Sequence, residues 1–157
     1  MKEIPLTRGK VALVDDEDYE WLSQWKWYAR KNGTNWHALR KAPHPVIGWR
    51  GQVKVWMHRE IINTPEGLIT DHINGNGLDN RKENLRAVTP AQNMMNRKTN
   101  TNNRLGVRGV RQSGKKFRAS ISVDGNTIHF PTRATLVEAI DDRVAAEIKY
   151  FGEYRRK

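Results

Sequence analysis

Apolar and polar positions alternate most cleanly near the C-terminus of this 157-residue chain. From Lys116 to Val123, Phe117, Ala119, Ile121 and Val123 share one parity; Lys116, Arg118, Ser120 and Ser122 share the other. A period of two predicts a strand with one buried face. Asp124-Gly125 predicts a tight hairpin turn, and Asn126 to Phe130 a return strand carrying Ile128 and Phe130. Leu105 to Arg111 predicts a third strand, with Gly106 and Gly109 permitting twist or a bulge. Thr135-Leu136-Val137-Glu138 is a capping box. Leu136, Ile140, Val144, Ile148 and Phe151 then recur near helical spacing until Gly152 stops the helix. The pattern builds a three-stranded antiparallel sheet packed on one helix. Its uncovered face offers Arg108, Arg111, Lys116 and Arg118.

The N-terminal part is mixed. Val11 to Val14 predicts a short strand, and Asp15 to Asp18 supply an N-cap and first-turn acids for a helix holding Tyr19, Trp21 and Leu22. Asn32-Gly33-Thr34-Asn35 is a hairpin signal between Trp25–Ala29 and Trp36–Leu39. Val53 and Val55 lead into Trp56 to Ile62, a short buried helix. The tryptophans are expected to form core, although they could also serve as a base-stacking platform. His58, beside Met57 and Ile61, reads as a packing or hydrogen-bonding residue.

The middle of the chain holds the candidate chemistry. Ile69 to Ile73 predicts a strand that sets Asp71 and His72 side by side. Neighbours on a strand point to opposite faces, so both serve one site only near a bend. The Asn/Gly/Asp-rich loop after them supplies it. Leu85 to Val88 predicts the return strand. Thr89-Pro90-Ala91-Gln92 then starts a helix that carries Asn93 in its first turn. The chain is α+β throughout.

Composition adds a partner. There are 28 Lys+Arg against 17 Asp+Glu, a formal charge of +11, with 37% apolar residues. Residues 97–157 hold 14 cations against 6 acids; residues 1–96 hold 14 against 11. Such a balance points to a polyanion, double-stranded DNA first. Asn96 to Arg104 has no apolar residue and reads as a linker; Arg97, Lys98 and Arg104 in it suit phosphate contacts. Without cysteine there is no disulfide scaffold, thiolate zinc site or cysteine nucleophile. No apolar run spans a membrane and no signal segment is visible, so a cytoplasmic protein is expected.

Asp71, His72, Asn84 and Asn93, spaced as they are, resemble the HNH homing-type endonucleases of phages, whose fold is a ββα-metal finger. Asn93 stands where many members have the final His. The resemblance implies His72 as general base, Asp71 and Asn93 as ligands of one divalent ion, and Asn84 as a hydrogen-bonding brace across the finger. Asn96 is the alternative ligand, and Arg86 is a possible phosphate contact. A carboxylate with an amide oxygen is a hard donor set that suits Mg²⁺ or Mn²⁺ rather than zinc. Gly106 to Gln112, Gly114 to Ala119 and Ala139 to Glu153 resemble the ethylene-response-factor (Apetala-type) DNA-binding domain, with Phe117 where Trp is frequent. The expected organisation is an N-terminal region 1–56, a finger 57–96, a linker 97–104 and a DNA-binding module 105–157. The expected function is a metal-dependent, nicking DNA endonuclease hosted in bacterial cytoplasm, monomeric or weakly dimeric, with no small-molecule cofactor. The alternatives are a DNA-binding regulator with a degenerate finger, and a packaging-associated structural protein.

Overall fold

β1 (Lys2–Pro5) pairs antiparallel with β2 (Val11–Val14), Lys2 opposite Val14 and Pro5 opposite Val11. A computed structural model describes residues 1–46, 48–100 and 102–156, with the backbone alone at Trp49 and Arg50. Thr101 of the expected linker and Lys157 lie outside the described residues. β1 buries only Ile4, so it has no sequence period to display; its pairing with β2 makes it a strand. The chain divides into two compact units, Met1–Pro90 and Ala91–Lys157.

In the first unit, α1 (Asp16–Ser23) packs Leu22 into a core with Ile4, Ala12, Val14, Trp27, Ala38 and Met57. Trp27 is 2% exposed and donates its indole N–H to Leu22 O at 2.8 Å. Burying one such ring is worth roughly 4–6 kcal/mol before entropy is charged. Trp21 and Trp36 pack on the same core, whereas Trp25 is exposed beneath the Arg40 guanidinium, 4.5 Å from its ring. β3 (Tyr28–Asn32), β4 (Asn35–His44) and β5 (Gly48–Trp56) form an antiparallel meander. α2 (Met57–Ile61) follows directly; Glu60 on it accepts from Arg40 of β4 at 2.6 and 3.3 Å. β6 (Ile69–His72) and β7 (Leu85–Val88) make the finger's hairpin.

The N-terminal elements and the hairpin are one unit rather than two consecutive pieces. Leu13 N donates to Leu78 O and Asn80 N donates to Leu13 O, both at 2.8 Å, so β2 bonds the finger loop directly. Asp15 is spent the same way. It stands at the N-cap of α1 without a capping bond, and its Oδ2 accepts instead from Lys82 N at 2.8 Å.

α3 (Pro90–Met95) runs from the end of the first unit into the second. There β8 (Val110–Ser113), β9 (Lys116–Val123) and β10 (Asn126–Arg133) form an antiparallel sheet with β9 central. α4 (Leu136–Phe151) begins with the expected capping box: Thr135 Oγ1 accepts from Glu138 N at 3.3 Å and Glu138 Oε2 from Thr135 N at 3.0 Å. One expectation fails here and another holds in part. The third strand starts at Val110, not Leu105, because residues 105–109 turn. On α4, Phe151 is buried and Leu136 and Ile140 pack against the core as expected, but Ile148 is 60% exposed, and Ala139, Arg143 and Ala146 are the other buried positions. Small alanines let the helix approach the sheet closely. Arg143, 3% exposed, donates to Ser120 O at 2.5 Å and Glu147 Oε1 at 2.8 Å. Gly109 makes room for it: a Cβ there would lie 2.6 Å from Arg143 Nη1.

Candidate active site

The hairpin ends β6 on Asp71 and His72, opposite Arg86 and Leu85 of β7. Both acid and imidazole are buried, at 7% and 6% exposure. Arg86 donates from Nε and Nη2 to Asp71 Oδ2 at 3.0 and 2.8 Å, a cross-strand ion pair. So the guanidinium expected at a phosphate is directed at the Asp71 carboxylate.

The loop from Ile73 to Asn84 is built on side-chain turns. Asn74 Oδ1 accepts from Asn76 N, and Asn76 Oδ1 from Leu78 N, each two residues on. Asn84 ties both ends: its Oδ1 accepts from Asn74 N at 2.9 Å, and its Nδ2 donates to Asp79 O at 2.7 Å. Asp79 accepts from Arg81 and Asn74, and the Arg81 hydrogen bonds hold its carboxyl below the usual range. Gly77 lets the loop lie on β4, since a Cβ there would meet Trp36 O at 2.4 Å and the His37 ring at 2.6 Å.

Asn80 lies outside the Asp71, His72, Asn84 and Asn93 pattern yet joins the site. It has no solvent exposure, and its Oδ1 lies 3.1 Å from His72 Nε2. Its Nδ2 faces Leu78 O at 3.4 Å and Met57 Sδ at 3.5 Å, so Oδ1 is the acceptor and Nε2–H the donor. That tautomer leaves the basic lone pair on Nδ1. Burial pushes the His72 pKa down, opposed by the Asn80 bond and the Asp71 and Asp79 charges. The ring is therefore neutral near pH 7, as a base must be.

Two further imidazoles surround it. His58 of α2 and His37 of β4 have ring centroids 5.0 and 5.6 Å from His72 and 5.6 Å from each other. Burial holds His58 down to about 3 and His37 to about 4, with the neighbouring imidazoles adding to both. His58 is indeed buried, yet its neighbours are histidines as well as core. The three positions are far apart in sequence and form no motif; only the fold assembles them.

A sequence model described as HNH endonuclease matches residues 63–95. An uncharacterized HNH endonuclease of Acanthamoeba polyphaga mimivirus is 32% identical over 155 residues, covering 94% of this chain and 74% of the viral protein. Protein 3.8 of Escherichia phage T7 is 33% identical over 91 residues, 55% of this chain and 73% of its own length. No solved structure matches.

The chain belongs to the HNH endonuclease family.

Of the residues that carry the HNH pattern, Asp71, His72 and Asn84 meet in the first unit, while Asn93 lies half-buried on α3 within the second. Asn96, the alternative ligand, is buried in that second unit too. The matched family region ends before the sheet module, and none of these similarities supports the expected ethylene-response-factor domain there.

The cations of the second unit separate into two groups. Arg111, Lys116 and Arg118 are exposed on the sheet, and Arg111 stands directly opposite Arg118. Like charges so paired are destabilising by themselves and suit an anion laid across both. Arg97, Lys98 and Arg104 are also exposed, around a cleft of about 650 Å³ that Arg108 and Arg111 help to line. Arg108 departs from expectation. It precedes β8, donates to Met95 O and Arg97 O at 3.2 and 3.1 Å, and lies 5.8 Å from the Phe151 ring. Its burial lowers its pKa, and its cation braces backbone rather than lying on an open sheet face.

Proposed function

We propose that this HNH family member is a divalent-metal-dependent DNA endonuclease that cuts one strand per active site. The observation carrying the reading is the buried His72–Asn80 hydrogen bond, which selects a tautomer with its basic lone pair on Nδ1.

His72 takes a proton from water at Nδ1 as the water oxygen attacks phosphorus. The bond from phosphorus to the 3′ oxygen breaks, giving a 5′-phosphate and a 3′ oxygen that takes a proton from solvent water to become the 3′-hydroxyl, and His72 returns its proton to solvent. Asn80 and Asn84 keep the imidazole and its loop in place through this step. The Asp71 carboxylate would hold the cation, and its hard oxygen donors fit Mg²⁺ or Mn²⁺. Such an ion, when bound, polarises the phosphoryl oxygen and stabilises the departing 3′ oxygen. Arg86 positions the Asp71 carboxylate through the cross-strand ion pair. Arg111, Lys116 and Arg118 carry duplex phosphates, with Arg97, Lys98 and Arg104 as further contacts.

Supercoiled plasmid incubated with purified protein and Mg²⁺ or Mn²⁺ tests this. Metal-dependent open circles, absent with His72→Ala and with chelator, are expected. Equal behaviour of wild type and His72→Ala, with DNA binding intact, would favour the non-catalytic regulator.

A further inference from the structure

We propose that His37, His58 and His72 form a second metal site, selective for a borderline first-row ion such as Zn²⁺. An ion there withdraws His72 from proton transfer and makes the site inhibitory. Its donor set is wholly imidazole, whereas the Asp71 carboxylate offers only hard oxygens.

Four observations converge. Each histidine offers one ring nitrogen, and the three nitrogens lie within 4.8 Å of one another. Zinc–nitrogen bonds of about 2.1 Å in a tetrahedral site put ligand atoms about 3.4 Å apart, so the rings need close by no more than about 1.4 Å. Second, Nδ1 of His37 and Nδ1 of His58 are buried with no hydrogen-bond partner among the described residues. Buried polar atoms are nearly always satisfied, and a bound cation would satisfy an imidazole nitrogen that no protein group reaches. Third, His72 Nε2 already donates to Asn80 Oδ1, the outer bond by which ligating histidines are fixed in tautomer and orientation. Fourth, the three donors sit on separate elements already braced together. Arg40 on β4 holds Glu60 on α2, and Gly77 of the finger loop packs on His37. Neutral imidazoles of this kind select Zn²⁺, Ni²⁺ or Cu²⁺ over Mg²⁺. The binding claim stands independently of nuclease activity; the inhibitory consequence rests on the role proposed for His72.

Calorimetric titration of chelator-treated full-length protein with ZnCl₂, in buffer containing excess MgCl₂, tests the site. One Zn²⁺ per chain is expected for wild type and for Asp71→Asn. In His37→Ala, affinity should fall by about tenfold or more. Ring ¹⁵N resonances of wild-type protein give a second readout that needs no variant: Zn²⁺ should shift three of the five histidines, His44 and His129 staying put. Absence of Zn²⁺ binding, or binding that survives His37→Ala and vanishes with Asp71→Asn, overturns the site. Plasmid nicking with Mg²⁺ separates the two proposals. Zn²⁺ should suppress it in wild type, excess Mg²⁺ should not restore it, and the suppression should weaken in His37→Ala. Protein that binds Zn²⁺ through these histidines yet never nicks would refute the nuclease reading alone. Nicking that Zn²⁺ at saturation leaves unchanged would refute the inhibitory role.

Discussion

Nε2 of His72 and Oδ1 of Asn80 lie 3.1 Å apart, and Asn80 has no contact with solvent. A short loop side chain thus decides which nitrogen of the proposed base carries its proton. Asn80→Ala removes the acceptor and leaves a buried N–H unsatisfied, at a cost of about 1–3 kcal/mol. Nicking should fall by about 10–100-fold, the usual scale for removal of an orienting partner. Plasmid nicking rates and thermal unfolding, measured together, check this. A variant with a lowered Tm but wild-type nicking would remove Asn80 from the mechanism.

Gly77 and His37 are in close approach across the finger loop. Gly77→Ala places a methyl 2.4 Å from Trp36 O and 2.6 Å from the His37 ring. The backbone oxygen cannot step aside, so the loop must move, and overpacking of this kind costs about 1–3 kcal/mol. A Tm lower by about 2–12 °C is expected by calorimetry. An unchanged Tm would mean the loop is not seated on β4.

Acid should destabilise the fold through two histidines. His58 and His37 titrate near 3 and 4 when folded, against 6.5 unfolded. Between those values the unfolded chain binds more protons, so stability is fully present above about pH 6.5 and declines as pH falls toward 4. Thermal melts at pH 7.5 and pH 5 should differ in wild type. The difference should shrink in a His37→Gln/His58→Gln double variant. Equal pH sensitivity in both proteins would assign the acid loss to other groups.

Arg111 and Arg118 face each other across β8 and β9. Replacing either with Ala relieves like-charge repulsion, so stability should hold or rise slightly. DNA affinity should fall, and the slope of log affinity against log salt should flatten by about 1 for each phosphate no longer neutralised. Filter binding at several salt concentrations reads both. Salt slopes identical to wild type would take the sheet face out of DNA binding.

Local pattern made much of this molecule legible. The β9–β10 hairpin, the capping box at Thr135 and the Asp71–Asn93 segment each state their structure within a few residues. Failures came where burial depended on a neighbour. α4 buries Arg143 rather than Ile148 because Ser120 O and Glu147 receive its guanidinium. Asp15 forgoes its cap because Lys82 N lies within reach.

The order of residues from Asp71 to Asn93 determined the family and which groups could do chemistry, since hairpin, loop and helix start are specified by adjacent side chains. Tertiary structure alone decided that His37 and His58 stand around His72, that Asn80 sets its tautomer, and that Arg86 turns to Asp71. Those relations join strands and loops distant along the chain, and desolvation in a shared interior, which no local period encodes, gives them their effect.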